Sequence, residues 1–268
     1  MTAALERWYR EHGRHDLPWR ASRDPWPVLV SEVMLQQTQV ARVLASFEPF
    51  MARFPTPRTM ADAGPGAVIE AWGRLGYPRR ARRLWEAAVV IDEQGWPGDL
   101  RALPGVGRYT AAAIAAQVDD VDAIGIEVNI RRVCERVEGG RLSEVEAEQR
   151  ARAITPGLCG RERLLALMDL GATVCTARAP RCDGCPLYAA CATRGTHTAE
   201  TKHRQGRFAG SFRQRRGLVL ARVRAGSVGT EELDGEALAS LLDDGLVEIT
   251  RGRAHLPRSS RGARARSR

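Results

Sequence analysis

Four cysteines, Cys175, Cys182, Cys185 and Cys191, fall within seventeen residues in "CTARAPRCDGCPLYAAC", with the spacing C-x6-C-x2-C-x5-C. Thiolates this close in sequence can converge on one metal centre. Spacing alone leaves a structural zinc and an iron–sulfur cluster both open. A disulfide framework is the competing reading and fits poorly with a cytosolic chain. Cys134 and Cys159 lie outside the group and are expected to be buried as small hydrophobes. Arg178, Arg181 and Arg194, in and beside the loop, could turn a metal-stapled segment into a rigid cationic surface for phosphate.

A second chemical signal is "AIGIEVNIRRV" (123–133), where Glu127 stands among Ile124, Gly125, Ile126, Val128 and Ile130. It is either a loop residue facing water or a catalytic carboxylate in a dry cleft. A third signal is "LPGVGRYTA" (103–111), where Gly105 and Gly107 separate two helical stretches. Glycines allow a tight turn and a close backbone approach. The helix after them would present free N–H groups to an anion. Leu-Pro-Gly-Val-Gly between helices resembles the helix-hairpin-helix that grips DNA phosphate without reading sequence. The plain alternative is an ordinary corner between two helices.

Helices must carry these groups. Apolar residues at 33, 34, 40, 43, 44, 47 and 50 recur near the helical period, predicting a helix over 31–54. Further helices are expected over 80–94, 107–118 and 161–175, the second of these so rich in alanine that it can pack close to a neighbour or ligand. Strand-like alternation is nearly absent before residue 174, so this part reads as all-α. Residues 196–214 read as a polar linker. Residues 215–257 read as a small independent unit, with helices followed by two short strands around Arg251-Gly252, which suggests a winged helix. The segment 258–268 reads as a disordered Arg-rich tail.

At 44% hydrophobic and 27% charged, the chain has the composition of a soluble globular protein. It has no apolar run long enough to span a membrane and no apolar leader, so a cytoplasmic location is expected, without membrane association. The net charge of +9 suggests a polyanionic partner such as nucleic acid. The last eleven residues hold five arginines, so the rest of the chain carries only +4. Lys202 is the only lysine.

The order of a helix-hairpin-helix, an acid eighteen residues after Tyr109, and C-x6-C-x2-C-x5-C resembles the helix-hairpin-helix DNA glycosylases with a [4Fe–4S] cluster. Within that superfamily "LPWR" (17–20), "SEVMLQQTQV" (31–40), "LGYPRRARRL" (75–84) and "MDLGATVC" (168–175) resemble the adenine DNA glycosylases of the MutY type. The likeness covers about residues 5–195, and "GRFAGSFRQRRG" (206–217) is similar to that family's linker region. It implies two helical subdomains flanking a cleft, an iron–sulfur loop over 175–191, and a [4Fe–4S] cluster on the four cysteines. It also implies a monomer acting on double-stranded DNA that contains a mismatch or an oxidised base, associated with the nucleoid through that DNA.

The chemistry so implied is hydrolysis of the N-glycosidic bond of a base flipped from the duplex. Adenine leaves only when a ring nitrogen is protonated, and the sugar develops oxocarbenium character, so two carboxyl groups in different environments are needed. By resemblance Glu32 is the acid; read as near the start of an apolar helix, it would be raised in pKa by burial. The plain alternative is a helix-dipole partner. Glu127 stands where the family has an Asp that stabilises the sugar, and Asn129 is expected to position Glu127 or the water. Tyr109 occupies the position of the Schiff-base lysine of bifunctional relatives, so a monofunctional enzyme is expected. Gln36, Gln37 and Thr38 favour adenine, with Gln37 as the wedge that fills the gap left by the flipped base. Trp19, Arg20, Tyr77, Gly105, Val106, Gly107 and Arg108 complete the expected DNA-binding set.

Three departures accompany the likeness. Glu127 is one methylene longer than Asp, and a shift of about 1 Å can slow a reaction on the order of a hundredfold. Pro78 replaces a second aromatic that stacks within the duplex in many members. Residues 215–268 are too few for the Nudix-like domain that recognises 8-oxoguanine opposite adenine. The expected function is removal of adenine mispaired with 8-oxoguanine or guanine. The alternatives are a thymine or uracil glycosylase acting opposite guanine, or a DNA-binding relative impaired in catalysis by Glu127. A winged helix with an Arg-rich tail could instead add nonspecific DNA affinity.

Overall fold

The computed structural model describes residues 2–195 and 206–258. The tail after Arg258, most of the expected linker, and Lys202 lie outside the described residues. In chain order the elements are α1 (Thr2–His12), α2 (Pro25–Leu35), α3 (Val40–Arg53), α4 (Pro57–Trp72), α5 (Arg79–Gln94), α6 (Arg108–Asp119), α7 (Val128–Glu138), α8 (Glu144–Ile154) and α9 (Gly160–Asp169). After the cysteine loop come α10 (Phe212–Ala225), β1 (Val228–Gly229), α11 (Gly235–Asp243), β2 (Glu248–Thr250) and β3 (Arg253–His255). The larger part is all-α, as its periodicity predicts. Two compact units result. One takes the chain up to Glu32 and resumes at Gly107 through the cysteine loop; the other takes Val33–Val106 and the described C-terminal residues.

The first unit is built around α6, α7 and α9. Ala113 and Ala116 of α6 are fully buried with Ile130 and Val133 of α7 and Leu164 and Leu167 of α9. Small side chains on α6 let these helices approach closely, as the alanine-rich stretch suggests. The expected helix over 161–175 is only partly α-helical. It ends at Asp169 and continues as a π-helical turn, Leu170–Val174, in which Cys175 N–H reaches Leu170 O at 2.7 Å. A π turn inserts one residue into the helical count and re-aims the chain beyond it.

In the second unit the helix expected over 31–54 is two helices. The chain breaks over 36–39, where Gln37 takes φ +56°, and α3 starts from an extended Gln39. Apolar spacing reports which residues are buried, and it persists across a break; the polar run "QQTQ" was the signal that the backbone turns there. Downstream, α4 begins with a capping box between Thr56 and Thr59 and kinks at Gly64, ahead of Pro65. Ile69 and Trp72 of α4 and Leu84 and Ala88 of α5 are buried.

The C-terminal part has the expected helices and hairpin, with α10 beginning at Phe212 under a Ser211 cap. A two-residue strand, β1, was not foreseen, being too short to alternate. The sheet is antiparallel in the order β1-β3-β2, with Ala254 opposite both Val228 and Ile249. Helix, strand, helix and hairpin give a winged-helix-like topology, but the part does not stand alone. Arg79 pairs with Asp244, Arg82 donates to Gly245 O, Arg224 Nη1 reaches Gly73 O at 2.6 Å, and Gly66 N–H reaches Pro257 O at 3.0 Å. It is knitted to α4 and α5.

Gly66 permits the last of these contacts, because a Cβ there would run into the Pro257 carbonyl. Gly66→Ala should destabilise the fold by roughly 1–3 kcal/mol, whereas Gly98→Ala, with no neighbour within 4 Å, should not. Thermal unfolding of the two variants beside wild type measures the difference.

Candidate active site

Glu32 is the eighth residue of α2, near its end rather than its start. A helix C-terminus disfavours a carboxylate, so the helix-dipole alternative does not apply. The side chain is 4% exposed, and Oε1 accepts from Gln117 Nε2 of α6 at 2.8 Å. Burial raises its pKa to about 7, opposed by the Gln117 hydrogen bond and by the Arg20 charge and reinforced by Glu127. The group is thus a carboxylic acid that can still hold its proton near neutral pH.

Glu127 does not face water as an idle loop residue. It is half-buried and caps α7, with Oε1 accepting from Asn129 N–H at 2.8 Å and Ile130 N–H at 2.9 Å. Oε2 accepts from Asn129 Nδ2 at 2.9 Å. Asn129 Oδ1 in turn takes a bond from Arg132 Nη2 at 2.7 Å, and Arg132 also reaches the carbonyls of Gly171 and Cys175. Burial raises the Glu127 pKa against the lowering effect of its N–H donors and Arg132. The Tyr109 hydroxyl lies 3.6 Å from Met168 Sδ; burial first, then Glu32 and Glu127, hold its pKa well above the usual value, so it is neutral. A Cβ on Gly125 would come within 2.6 Å of the Tyr109 ring. Two carboxyl groups, a neutral phenol and an amide therefore belong to one electrostatic group within the first unit.

Asp169 belongs beside them and was missed by sequence reasoning. It is fully buried and accepts from Arg14 N–H at 2.8 Å and Nε at 2.7 Å, and from Arg20 Nη1 at 2.7 Å and Nη2 at 2.8 Å. Burial pushes its carboxyl up, but the hydrogen bonds and charges of Arg20 and Arg14 outweigh it and hold the pKa below the usual range. The available signal was an acid in the apolar run "LLALMDLGATV", since a buried acid demands a partner.

The four cysteines line one cavity together with Arg136, Val174 and Tyr188, and none is in a disulfide. Among the described residues no three His, Cys, Asp or Glu side chains are placed to grip a single metal ion. Arg136 Nη1 lies 3.4 Å from Cys175 Sγ. Arg181 and Arg194 spend donors on the carbonyls of Thr173, Ala189 and Cys191, so they brace the loop as well as charge it. Cys134 is buried as expected, but Cys159 is exposed: it precedes α9 as its N-cap residue, where the chain is at the surface.

A family model for the HhH-GPD superfamily base excision DNA repair protein matches residues 30–156. The adenine DNA glycosylase of Mycolicibacterium smegmatis is 42% identical over 267 residues, covering 91% of each chain. That of Mycobacterium tuberculosis is 42% identical over 283 residues, covering 93% of this chain and 91% of its own. The chain belongs to the adenine DNA glycosylase family. The Homo sapiens adenine DNA glycosylase is 36% identical over 234 residues, covering 78% of this chain and 42% of its own. Among solved structures, a thermostable thymine-DNA glycosylase superposes with a TM-score of 0.65 at 26% identity, covering 73% of this chain and 95% of its own. A non-covalent endonuclease III–DNA complex, at 23% identity and TM-score 0.61 over 72% of this chain and 94% of its own, shares the fold.

The expected DNA-binding residues of this glycosylase divide into two kinds. Gln37 is exposed at its turn, and Tyr77, at φ +46°, is 44% exposed. Gln36 and Thr38 are half-buried, with Gln36 Nε2 3.4 Å from Gly105 O. Gly105 turns at φ +82°, and Gly107, the residue before α6, gives that helix no side-chain cap. Arg108 is exposed and pairs with Glu144 at 3.1 Å. Trp19 is 3% exposed, Val106 is buried, and both Nη atoms of Arg20 are engaged by Asp169, so these side chains are packed or paired within the fold.

The raised pKa of Glu32 has a stability consequence with a definite sign. The unfolded chain ionises Glu32 near its ordinary value of 4.5 and the folded chain at about 7. The contribution of Glu32 to stability therefore falls as pH rises through that window and is not regained above it. Glu32→Gln, which keeps an acceptor for Gln117, should match wild type at and below pH 4.5 and exceed it above about pH 7 by up to about 3 kcal/mol. Urea unfolding on either side of the window tests this.

Proposed function

We propose that this chain is a monofunctional DNA glycosylase that hydrolyses the N-glycosidic bond of adenine mispaired with 8-oxoguanine or guanine, in base-excision repair. The observation that carries the reading is the pairing of a buried, proton-holding Glu32 with a helix-capping Glu127. Glu32 gives its proton to a ring nitrogen of the flipped adenine, which turns the base into a leaving group. As the bond breaks, positive charge grows on the sugar, and the Glu127 carboxylate, held by α7 and Asn129, stabilises it. Water adds to the sugar and passes a proton to Glu32. Tyr109 is no amine and forms no Schiff base. The protein acts as a monomer on double-stranded DNA: α6 and the 103–107 turn hold a backbone phosphate, Gln37 fills the vacated stack, and Tyr77 supports it.

The cysteine cavity fits a [4Fe–4S] cluster held by Cys175, Cys182, Cys185 and Cys191. The four sulfurs share that cavity, and burial raises the Cys175 thiol and pushes that of Cys185 up to about 11, so these two need the positive charge of a metal centre to stand as thiolates. The cluster would supply that charge and a covalent staple for the loop.

Single-turnover excision separates the readings. The duplexes carry A opposite 8-oxoguanine, A opposite G, and T or U opposite G, with alkali to reveal abasic sites. Adenine should leave, and strand cleavage should require the alkali. Because the acid must be protonated, the rate should fall as pH rises through about 7, the Glu32 pKa. Glu32→Gln and Glu127→Gln should each abolish excision, and Glu127→Asp should retain it. The similarity to a thymine-DNA glycosylase favours the second reading, and release of T or U alone would establish it in place of the first.

A further inference from the structure

Arg80 stands in the first turn of α5 and is 8% exposed, although it lies in the basic run "RRARR". Its guanidinium has six oxygen acceptors. Nη1 donates to the carbonyls of Val33 at 2.8 Å, Met34 at 2.9 Å and Gln36 at 2.6 Å. Nη2 donates to Thr38 Oγ1 at 2.9 Å, Gly76 O at 3.0 Å and Leu75 O at 3.4 Å. Its Cζ lies 5.1 Å from the Trp72 ring centroid and 5.5 Å from that of Tyr77.

These acceptors come from two places. Val33, Met34 and Gln36 are at and beyond the end of α2, whose last carbonyls have no partner within the helix. A cation there is favoured by the helix dipole. Thr38 closes the same turn. Leu75 and Gly76 belong to the turn before α5, where Gly76 and Tyr77 take φ +81° and +46°. Gln37, at φ +56°, and Tyr77 both hold a left-handed conformation unusual for a side-chain-bearing residue. One planar fork thus pins the two turns that expose Gln37 and Tyr77, which a lysine point charge could not do.

We infer that Arg80 is the positioning residue of base extrusion: it holds Gln37 and Tyr77 in their reversed turns so that they enter the duplex when the target base leaves it. This rests on the proposed roles of Gln37 and Tyr77. Arg80 itself touches neither base nor sugar. A purely structural arginine would instead lower the fraction of folded molecules and leave each folded one at full speed.

The test is Arg80→Lys and Thr38→Val in single-turnover excision of A opposite 8-oxoguanine, scored as amplitude and rate constant separately. Base extrusion is followed with 2-aminopurine in place of the target adenine, and Kd is measured for an undamaged duplex. Arg80→Lys should slow excision on the order of 10- to 100-fold at unchanged Kd for the undamaged duplex, with a matching loss of the extrusion signal. Combined with Gln37→Ala it should add little, because both remove one function. Thr38→Val, which deletes a single acceptor, should slow excision less and keeps the test alive if Arg80→Lys fails to fold. A reduced amplitude with a wild-type rate constant, or full additivity with Gln37→Ala, would overturn the inference. Absence of adenine release by wild type would sink the proposed function instead, and 2-aminopurine extrusion would still report on Arg80.

Discussion

A carboxylic acid that keeps its proton near neutral pH requires a dry setting, and much of the first unit is arranged to provide one for Glu32. Burial is the largest cause of its raised pKa, and the bonds and charges around it mostly work the other way. The surroundings must therefore exclude water while offering few donors. Gln117 supplies one good hydrogen bond and no charge. Arg20, whose charge favours the ionised form of Glu32, is bound on both Nη atoms by Asp169. Tyr109 stays neutral for the same reason that Glu32 does.

The second carboxyl group is solved by the opposite device. Glu127 is also removed from water, yet it sits on a helix N-terminus, where two backbone N–H groups and the helix dipole favour an anion. This bears on the extra methylene. Asp is a common N-cap and Glu is not, because the longer chain must fold back to reach the N2 and N3 groups. Here it does reach them, at 2.8 and 2.9 Å. The N–H groups of α7 set where the bonded oxygen lies, so the added length is absorbed between Cα and the carboxylate.

The fold class was legible because helical periodicity and the glycine-rich turn are local signals. The site candidates have different sources: Glu127 and the four cysteines are odd for their surroundings, whereas Glu32 rests on the likeness of its motif to the family's. The features that could not be read were set by tertiary contacts. The polar run "QQTQ" marks a turn at 36–39, but the residue that holds it, Arg80, lies more than forty residues away in sequence, and no local pattern names that partner. The likeness of "LPWR" to the family places Trp19 and Arg20 in the DNA-binding set; the pairing of Arg20 with Asp169, some 149 residues on, is a tertiary contact that the motif does not show. Cys159 looked like a small hydrophobe, but its place before α9 leaves it at the surface. Exposure of a single residue is the property that sequence reports least well.

The C-terminal part shows how topology and charge can disagree about function. Its order of elements is that of a winged helix, a common DNA reader. Yet α11 carries no Lys or Arg, and Asp234, Glu236 and Asp244 at and around it engage Arg215, Arg216 and Arg79. A helix with that charge is repelled by phosphate. Asp244 and Gly245 instead hold Arg79 and Arg82, on either side of Arg80 on α5. The described C-terminal residues thus hold α5, the helix whose first turn carries Arg80 and its bonds to the turns at Gln37 and Tyr77.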